Sequence, residues 1–556
     1  MRLTRIVIEH YRSIEHIEIR LPYQKPLILF GPNNAGKSNI ISAIDKVLGK
    51  RWPPSTDLED SDFYMRDRRQ YPEIRIEASF DQPYHFPKYG SQVVSDIVLT
   101  LNSDQSKSHF QSTSGKRLGV SSDERSVIQS YVVDAERDIG RQLSYYSRYS
   151  LLSQFAHAVH GSLTEDQRQS LEDAYASIKS TFEGVPQYSK FFANFHEVIE
   201  NSVKGFVHDL KVDFSAYDPN NFAKSMRIVA YEGNEARSFE EFGTGEQQIL
   251  LMAFAKAYVQ TFGSGSLVLM IEEPEAHLHP LAQRWLKEYI YSLCSNGLQV
   301  VISTHSADFL DMSNLDGLVR VCKDDRGVTR VVQLTKQALV DFCLKSGVPS
   351  EKISERNVLG FFGTRLFPDE SKGFFATKVL LVEGATEYYA LPEIMRTLGY
   401  SLVQSGVEIV MASGKNSIPL YWRIFKAFGI QCACLFDGDG KGKDKKSSKN
   451  ANNQLQALLG IDVNGLLATL GEDAYITENV AFFKVDFETF MRTEVSSYAQ
   501  HEEECRKLGI ESKPGLARAV CGMLSKEELP AFFKGLWKKV IRPESEKEVS
   551  DEEYVF

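Results

Sequence analysis

Gly31-Pro32-Asn33-Asn34-Ala35-Gly36-Lys37-Ser38 fits the spacing GxxxxGKS, and it stands between an apolar run, PLILF, and a helical pattern, SNIISAIDKVLG. These residue types suit a phosphate chain. Gly31 and Gly36, with Asn33 and Asn34 between them, let consecutive backbone N–H groups turn inward, and the helix N-terminus adds positive potential. Lys37 brings a point charge to the β- and γ-phosphates of a nucleotide, and the Ser38 hydroxyl is a hard ligand for Mg²⁺. A second run, LVLMIEEPEAHLHP, carries four apolar residues from Leu267 to Met270 and then Glu272 and Glu273. Two adjacent acids alone are ordinarily a solvated pair. After a buried strand that Pro274 ends, Glu272 can reach Mg²⁺ and Glu273 can orient an attacking water at the carboxyl edge of an α/β sheet.

The same logic recurs further along. KVLLVEGATEYYALPEI reads as a strand, Lys378 to Val382, ending at Glu383-Gly384, with Glu387 four residues later on the following helix. IQCACLFDGDG reads as another strand, ending in Asp437-Gly438-Asp439. The glycine between the aspartates is expected to let both carboxylates turn towards one point. Hard oxygens from two strand ends suit Mg²⁺ or Mn²⁺. Two such ions ~4 Å apart can clamp the attacking and leaving oxygens of a phosphodiester. DGDG by itself would equally be a calcium-loop fragment or a polar turn; the strands ahead of both acid groups carry the reading.

The elements that must position these residues follow from periodicity. The opening, MRLTRIVIEHYRSIEHIEIRL, alternates apolar and polar residues and reads as a strand pair with no signal-peptide core. Residues 72–81 and 93–103 read as further strands, and 141–211 as a helical insertion with apolar residues at helical spacing. SMRIVAYEG, LVLM and LQVVIST return to strands, LVRVCKDDRGVTRVVQL adds more, and EKISERNVLGFFGTRLFPDESKG is a charged helical connector. This predicts an α/β chain with a first domain over 1–370 and a second over 371–556. The run around 437–453 (DGDGKGKDKKSSKNANN) reads as a polar loop, and the acidic end, SEKEVSDEEYVF, as frayed.

Composition bounds the rest. Hydrophobic residues make up 42% and charged residues 25% of 556, as in a globular protein, and no apolar run is long enough to span a bilayer. The seven cysteines are scattered; Cys432 and Cys434 share one strand face without a second pair, which argues against zinc and for reduced thiols in a cytoplasmic protein. A net charge of −10 speaks against a chain that coats nucleic acid over its whole surface, but not against a local basic groove. Lys441, Lys443, Lys445, Lys446 and Lys449 follow the aspartates and could meet DNA phosphates.

Between the two halves of the phosphate site, Phe242-Gly243-Thr244-Gly245-Glu246-Gln247-Gln248 opens a helix, and VVISTHSADFL ends a strand at His305. In this order the motifs resemble the ATP-binding cassette ATPases of DNA repair and chromosome maintenance. The resemblance implies that ATP is the nucleotide and that Thr244, Gly245 and Gln247 form a signature acting in trans. It also implies that Glu273 positions water and that His305 senses the γ-phosphate. Glu272 and Thr244 depart from the commoner aspartate and serine, and the longer Glu272 leaves its metal distance open. A signature in trans requires two heads, so a homodimer or higher oligomer follows, with 141–211 as a dimerisation element or a lid. The Glu383…Asp437-Gly438-Asp439 pattern resembles toprim domains.

Together, FGPNNAGKSN, IEEPEAHLHP, STHSADFL and LLVEGATE resemble the OLD (overcoming lysogenisation defect) nucleases: an ATP-binding cassette head with a helical dimerisation insertion, then a C-terminal toprim domain. In that family further acids and a lysine complete the nuclease site; here Asp486 and Glu488 would join the metal ligands and Lys513 would stabilise charge on the phosphate. The resemblance implies an ATP-regulated, metal-dependent DNA endonuclease in antiphage defence, with a helicase-like or retron partner and no membrane. The alternatives are an ATPase clamp whose toprim domain only binds DNA or a partner, and a strand-passage or primase enzyme. The last lacks an evident domain to supply a nucleophilic tyrosine.

Overall fold

The computed structural model describes residues 1–49, 58–86, 91–104, 107–120, 128–133, 151–187, 266–276, 278–363, 368–439, 445–471 and 473–542, with short pieces between 190 and 261. Two compact units result, Val133–Ser266 and the remainder, Met1–Val132 with Leu267–Phe556.

The larger unit begins with the expected strand pair. β1 (Leu3–Tyr11) and β2 (Ile14–Arg20) pair antiparallel, and β1 then pairs with β4 (Glu73–Phe86). β5 (Gln92–Asn102), β6 (His109–Gln111) and β7 (Arg117–Leu118) complete an antiparallel sheet ordered β2-β1-β4-β5-β6-β7. A second sheet holds β3 (Leu27–Phe30), β8 (Ile128–Val133), β11 (Ser266–Glu272), β12 (Gln299–Thr304), β13 (Leu318–Lys323) and β14 (Thr329–Gln333), in the order β14-β13-β3-β12-β11-β8. β3, β12 and β11 are parallel neighbours, with Thr304 opposite Phe30 and Glu272 opposite Ser303. Their carboxyl ends therefore share one edge.

Helix α1 (Lys37–Leu48) shares one core with both sheets. Its Ile40, Ile41, Ile44 and Val47 cluster with Ile6, Ile8 and Ile76 of the antiparallel sheet and with Leu27, Leu29, Met270 and Val301 of the other. Burying four such side chains is worth roughly 6–12 kcal/mol before entropy, enough to fix the helix start against the sheet edge.

In the smaller unit, β9 (Val229–Glu232) and β10 (Glu235–Ser238) form a hairpin, and α2 (Leu151–Gly161) and α3 (Glu165–Glu183) are helical as expected for the insertion. The remainder of the insertion, at 141–150 and 191–211, lies outside the described residues.

Helices α4 (Pro280–Ser295) and α5 (Lys336–Lys345) lead to a third sheet of β15 (Lys378–Val382), β16 (Val407–Met411), β17 (Gln431–Asp437), β18 (Ala474–Thr477) and β19 (Val480–Phe483). Its order is β16-β15-β17-β19-β18, parallel except for the last strand. The near-continuous apolar runs KVLLV and QCACLF are what a parallel strand covered on both faces requires. The helices around it are α6 (Ala385–Leu398), α7 (Ile418–Ala427), α8 (Lys445–Leu459), α9 (Phe487–Glu494), α10 (Tyr498–Lys507), α11 (Lys513–Met523) and α12 (Ala531–Leu536).

One expectation fails here. The lysine-rich run, expected to be a polar loop, is helical from Lys445 onward as α8, while residues 440–444 lie outside the described residues. Ala451 and Leu455, four apart, are buried, and this sparse apolar face anchors a helix that polarity alone concealed. The acidic end, 543–556, also lies outside the described residues.

The head and the third sheet meet directly. Phe30, the last residue of β3, packs edge-on against Phe374 and Phe428 at 5.7 and 5.8 Å. Buried Arg320 of β13 donates to the carbonyls of Phe428 and Gly429 at 3.2 and 3.1 Å. All seven cysteines are free thiols, and Cys432 and Cys434 are buried, as expected.

Two candidate sites at strand ends

The phosphate loop has the backbone its sequence demands. Gly31 and Gly36 take φ of 142° and 110°, and Asn34 takes 59°. A Cβ at Gly31 would lie 2.0 Å from the Val321 carbonyl oxygen, and one at Gly36 would lie 2.3 Å from Thr329 Oγ1. Lys37 is buried and donates to the Gly31 and Pro32 carbonyls, each at 3.0 Å. Burial pushes its pKa down to about 8, against the opposing pull of Glu273, Glu275 and Glu272. Its ammonium is thus folded back on the loop that would otherwise wrap a phosphate.

The partners arrive from the neighbouring strands. Ser38 Oγ donates to Glu272 Oε2 at 3.1 Å, so the two expected Mg²⁺ ligands adjoin despite the longer side chain of Glu272. Glu273 adopts φ 46° and its N–H donates to the Ser303 carbonyl at 2.8 Å, which turns the acid off the strand. His305 Nε2 stands 3.5 Å from Glu273 Oε1, and burial and Lys37 lower the imidazole pKa. A residue that the sequence reading passed over completes this corner. Glu275 Oε1 accepts the His305 backbone N–H at 2.6 Å, and burial raises the Glu275 pKa. The signal was the third acid of IEEPEAH, hidden by the stronger pair before it. Gln247 is helical and donates its N–H to the Gly243 carbonyl at 3.0 Å, whereas Thr244 and Gly245 lie outside the described residues.

The second site draws on three parallel strands of the third sheet. Glu383 follows β15, Asp437 ends β17, Asp486 and Glu488 follow β19, and Glu387 sits in the first turn of α6. Glu387, Asp437 and Glu488 bear on one another electrostatically. Burial first, and then Glu387, Glu383, Asp486 and Glu488, raise the Asp437 pKa well above the usual range. Burial, Glu383 and Glu488 push that of Glu387 up to about 7, and burial raises that of Glu383. Buried carboxylates that each resist ionisation are a site short of positive charge.

The expected convergence is incomplete. Among the described residues no three His, Cys, Asp or Glu side chains form a finished ligand set for a metal ion. The physical reason is repulsion: each acid has turned to a donor. Glu383 accepts from the Asp437 N–H and Glu387 from the Gly384 N–H, both at 3.2 Å. Asp437 accepts from the Phe487 N–H at 3.2 Å, and Asp486 caps α9 through the Thr489 N–H at 2.7 Å. Glycine between the two aspartates therefore does not aim both at one point. Asp439, at φ 57°, instead pairs with Lys415 Nζ at 2.6 Å.

Lys513 Nζ lies 3.2 Å from Glu488 Oε1, which places the expected lysine within the site. Burial opposes its charge, but Glu488 and Asp486 hold its pKa above the ordinary lysine value. Thr386 Oγ1 also donates to Glu488 Oε1, at 3.3 Å. Neither Thr386 nor Lys415 was read from the sequence. Lys415 could have been: IVMASGKNS is a third apolar strand running into a glycine turn, as the acid motifs are.

Comparisons with known proteins agree with this arrangement. Residues 27–312 match a family described as "AAA domain, putative AbiEii toxin, Type IV TA system". Residues 374–439 match "Overcoming lysogenization defect protein-like, TOPRIM domain". An OLD nuclease of Thermus scotoductus is 26% identical over 495 residues, covering 83% of this chain and 89% of that protein. The Old nuclease of Escherichia phage P2 is 29% identical over 254 residues, 43% of this chain and 41% of the phage protein. Among solved structures, an SMC head bound to the C-winged helix domain of ScpA covers 60% of this chain and 98% of its own, at 19% identity and a TM-score of 0.39. The chain therefore belongs to the AAA family matched over residues 27–312, carries an OLD-like TOPRIM domain behind it, and is similar to OLD nucleases over most of its length.

Proposed function

We propose that this chain hydrolyses ATP in its head and, with a divalent metal, cuts DNA at the carboxylates of the toprim sheet. The carrying observation is the buried group of Glu383, Glu387 and Asp437, each with a raised pKa, at the carboxyl edge of parallel strands. Such a donor set fits a hard divalent ion, because only added positive charge relieves it. Divalent ions held by Glu383, Glu387, Asp437 and Asp439, with Asp486 and Glu488 beside them, would supply that charge to a phosphodiester and its attacking and leaving oxygens.

The chain's own groups do the remainder. Lys513, 70% exposed and beside Glu488, can swing to a phosphate and stabilise its developing charge. In the head, Lys37 leaves the loop carbonyls for the β- and γ-phosphates, while Ser38 and Glu272 hold Mg²⁺. Glu273 orients water, and His305 reads the γ-phosphate beside it. Thr244, Gly245 and Gln247 act on the partner's nucleotide, which makes the working form at least a homodimer. Control of cutting by ATP is supported by Phe30, which adjoins Gly31 and packs on Phe428, three residues before the strand that ends in Asp437. The similarity to OLD nucleases supports reading this as a cytoplasmic activity in defence against phage.

The test is supercoiled plasmid incubated with the protein and Mg²⁺ or Mn²⁺, with and without ATP. Nicking or linearisation that Asp437→Ala abolishes while ATP turnover persists is the expected result. Unchanged cutting by Asp437→Ala would overturn the metal site. Plasmid binding and ATP turnover without cutting in either metal would establish the clamp instead.

A further inference from the structure

Lys415 is 5% exposed, rare for a lysine, and the backbone around it is bent to put it there. The Ala412 N–H continues the ladder onto the Val382 carbonyl at 2.9 Å. The chain then turns through Ser413 at φ 55° and Gly414 at φ 120°, and the Gly414 N–H reaches the Glu383 carbonyl at 2.8 Å. A non-glycine residue in the left-handed region costs energy that the surroundings must offset. The outcome is that Lys415 meets two acids at once: its backbone N–H bonds the Glu383 carboxylate, and its ammonium sits 2.6 Å from Asp439 Oδ2. Lys513, the other lysine of the site, is 70% exposed and able to leave. Lys415 is not.

We propose that Lys415 is a resident counter-ion of the nuclease site that makes divalent-ion binding depend on DNA. This rests on the metal-dependent nuclease reading above. Without metal, the ammonium keeps Asp439 inside an acid cluster that would otherwise repel it. A divalent ion that shares Asp439 with a buried ammonium meets like charge in a poorly screened setting. A DNA phosphodiester brings the missing negative charge to both cations. The ion is therefore held weakly by the protein alone and tightly once DNA is seated, which restrains idle metal chemistry. Lys415 acts through Asp439 and Glu383, as a positioning residue.

The test is calorimetric titration of Mn²⁺ into the full chain, with and without a short phosphorothioate duplex that resists cutting. Wild-type protein should bind Mn²⁺ weakly alone and more tightly with the duplex. Lys415→Met should bind Mn²⁺ at least about tenfold tighter without DNA and gain little from the duplex, because one buried like charge is gone. Lys415→Arg, which keeps the charge, should behave as wild type. A gain in affinity cannot arise from a misfolded site, so its sign separates this role from a structural one. Affinity in Lys415→Met that is equal to or weaker than wild type overturns the proposal and leaves Lys415 as a brace. If Asp437→Ala binds Mn²⁺ as wild type does, the metal-site reading itself has failed.

Discussion

The head and the toprim sheet solve one problem with opposite charge. Each gathers its residues at the carboxyl ends of adjacent parallel strands. In the head the unsatisfied group is a cation, Lys37, which turns back onto the Gly31 and Pro32 carbonyls. In the toprim sheet the unsatisfied groups are acids, which turn onto backbone N–H groups and onto Lys415 and Lys513. On the proposed function, a phosphate chain would complete the first arrangement and divalent cations the second. The first turns also differ: backbone sterics fix the head's loop at Gly31 and Gly36, whereas the turn at Gly384 is open and Glu387 there is held by a hydrogen bond.

The sharpest way to break that contrast is to substitute the glycine that follows each strand. Gly31→Ala places a Cβ 2.0 Å from the Val321 carbonyl oxygen at φ 142°, whereas at Gly384 the nearest atom is Glu387 Oε2 at 3.6 Å and φ is −143°. Gly31→Ala should cost roughly 3 kcal/mol or more and abolish ATP turnover. Gly384→Ala should stay within about 1 kcal/mol, since Gly is only a modest N-cap. Thermal melts and ATP turnover read both. Equal tolerance at the two positions would remove the steric side of the comparison.

Charge dominance in the toprim site predicts a pH dependence. Burial, with Glu383 and Glu488 nearby, pushes the Glu387 carboxyl up to about 7 from the ordinary glutamate range, and burial raises Asp437 in the same direction. For a carboxyl raised on folding, the stabilising contribution is complete below the unfolded pKa and is lost as pH rises through the folded one. In chelator, the protein should therefore melt lower at pH 8 than at pH 5, by on the order of 3 kcal/mol for the coupled acids. Mn²⁺ at pH 8 should restore the loss, and Glu387→Gln should flatten the profile. A flat wild-type profile would show that the acids are already neutralised by other means.

How far the sequence could be read follows the same division. GxxxxGKS, IEEPEAH and the strand before His305 were legible because steric demands leave fixed glycines and apolar runs. Glu383, Glu387 and Asp437 were legible as strand-end acids, but the direction of each carboxylate was not, because it depends on which donor repulsion leaves within reach. Lys415 and Glu275 escaped for a related reason. Their strand-end positions were there to be read in IVMASGKNS and IEEPEAH, but their roles are pairings made across the sheet, with Asp439 and with the His305 N–H, and local spacing does not name those partners. The helix at Lys445–Leu459 was hidden by polarity, since its buried apolar residues among those described are only Ala451 and Leu455, with Asn452 buried beside them.

A smaller effect is expected at the junction that ties the two sites. Arg320→Met leaves the Phe428 and Gly429 carbonyls without their donor, at about 1–3 kcal/mol for each buried group left unpaired. Under conditions where the variant stays folded, ATP turnover and basal cutting should each remain within about threefold of wild type, since Arg320 touches neither site. The response of cutting to ATP should shrink. An unchanged ATP response would place the coupling elsewhere than along Phe30, Arg320 and Phe428.

The smallest effect separates a hydrogen bond from a charge. Glu275, half-buried, and Glu387, buried, each accept a backbone N–H, from His305 at 2.6 Å and from Gly384 at 3.2 Å. If the head is organised by geometry, Glu275→Gln should keep ATP turnover within about threefold, because the amide oxygen still accepts the His305 N–H. Glu275→Ala, which orphans that N–H and loosens His305 beside Glu273, should cost about tenfold. In the toprim site the ranking should invert. There Glu387→Gln preserves the Gly384 bond yet removes a charge that a divalent ion needs, so Mn²⁺ affinity should fall nearly as far as in Glu387→Ala. Identical rankings at the two positions would mean that both sites are held in the same way.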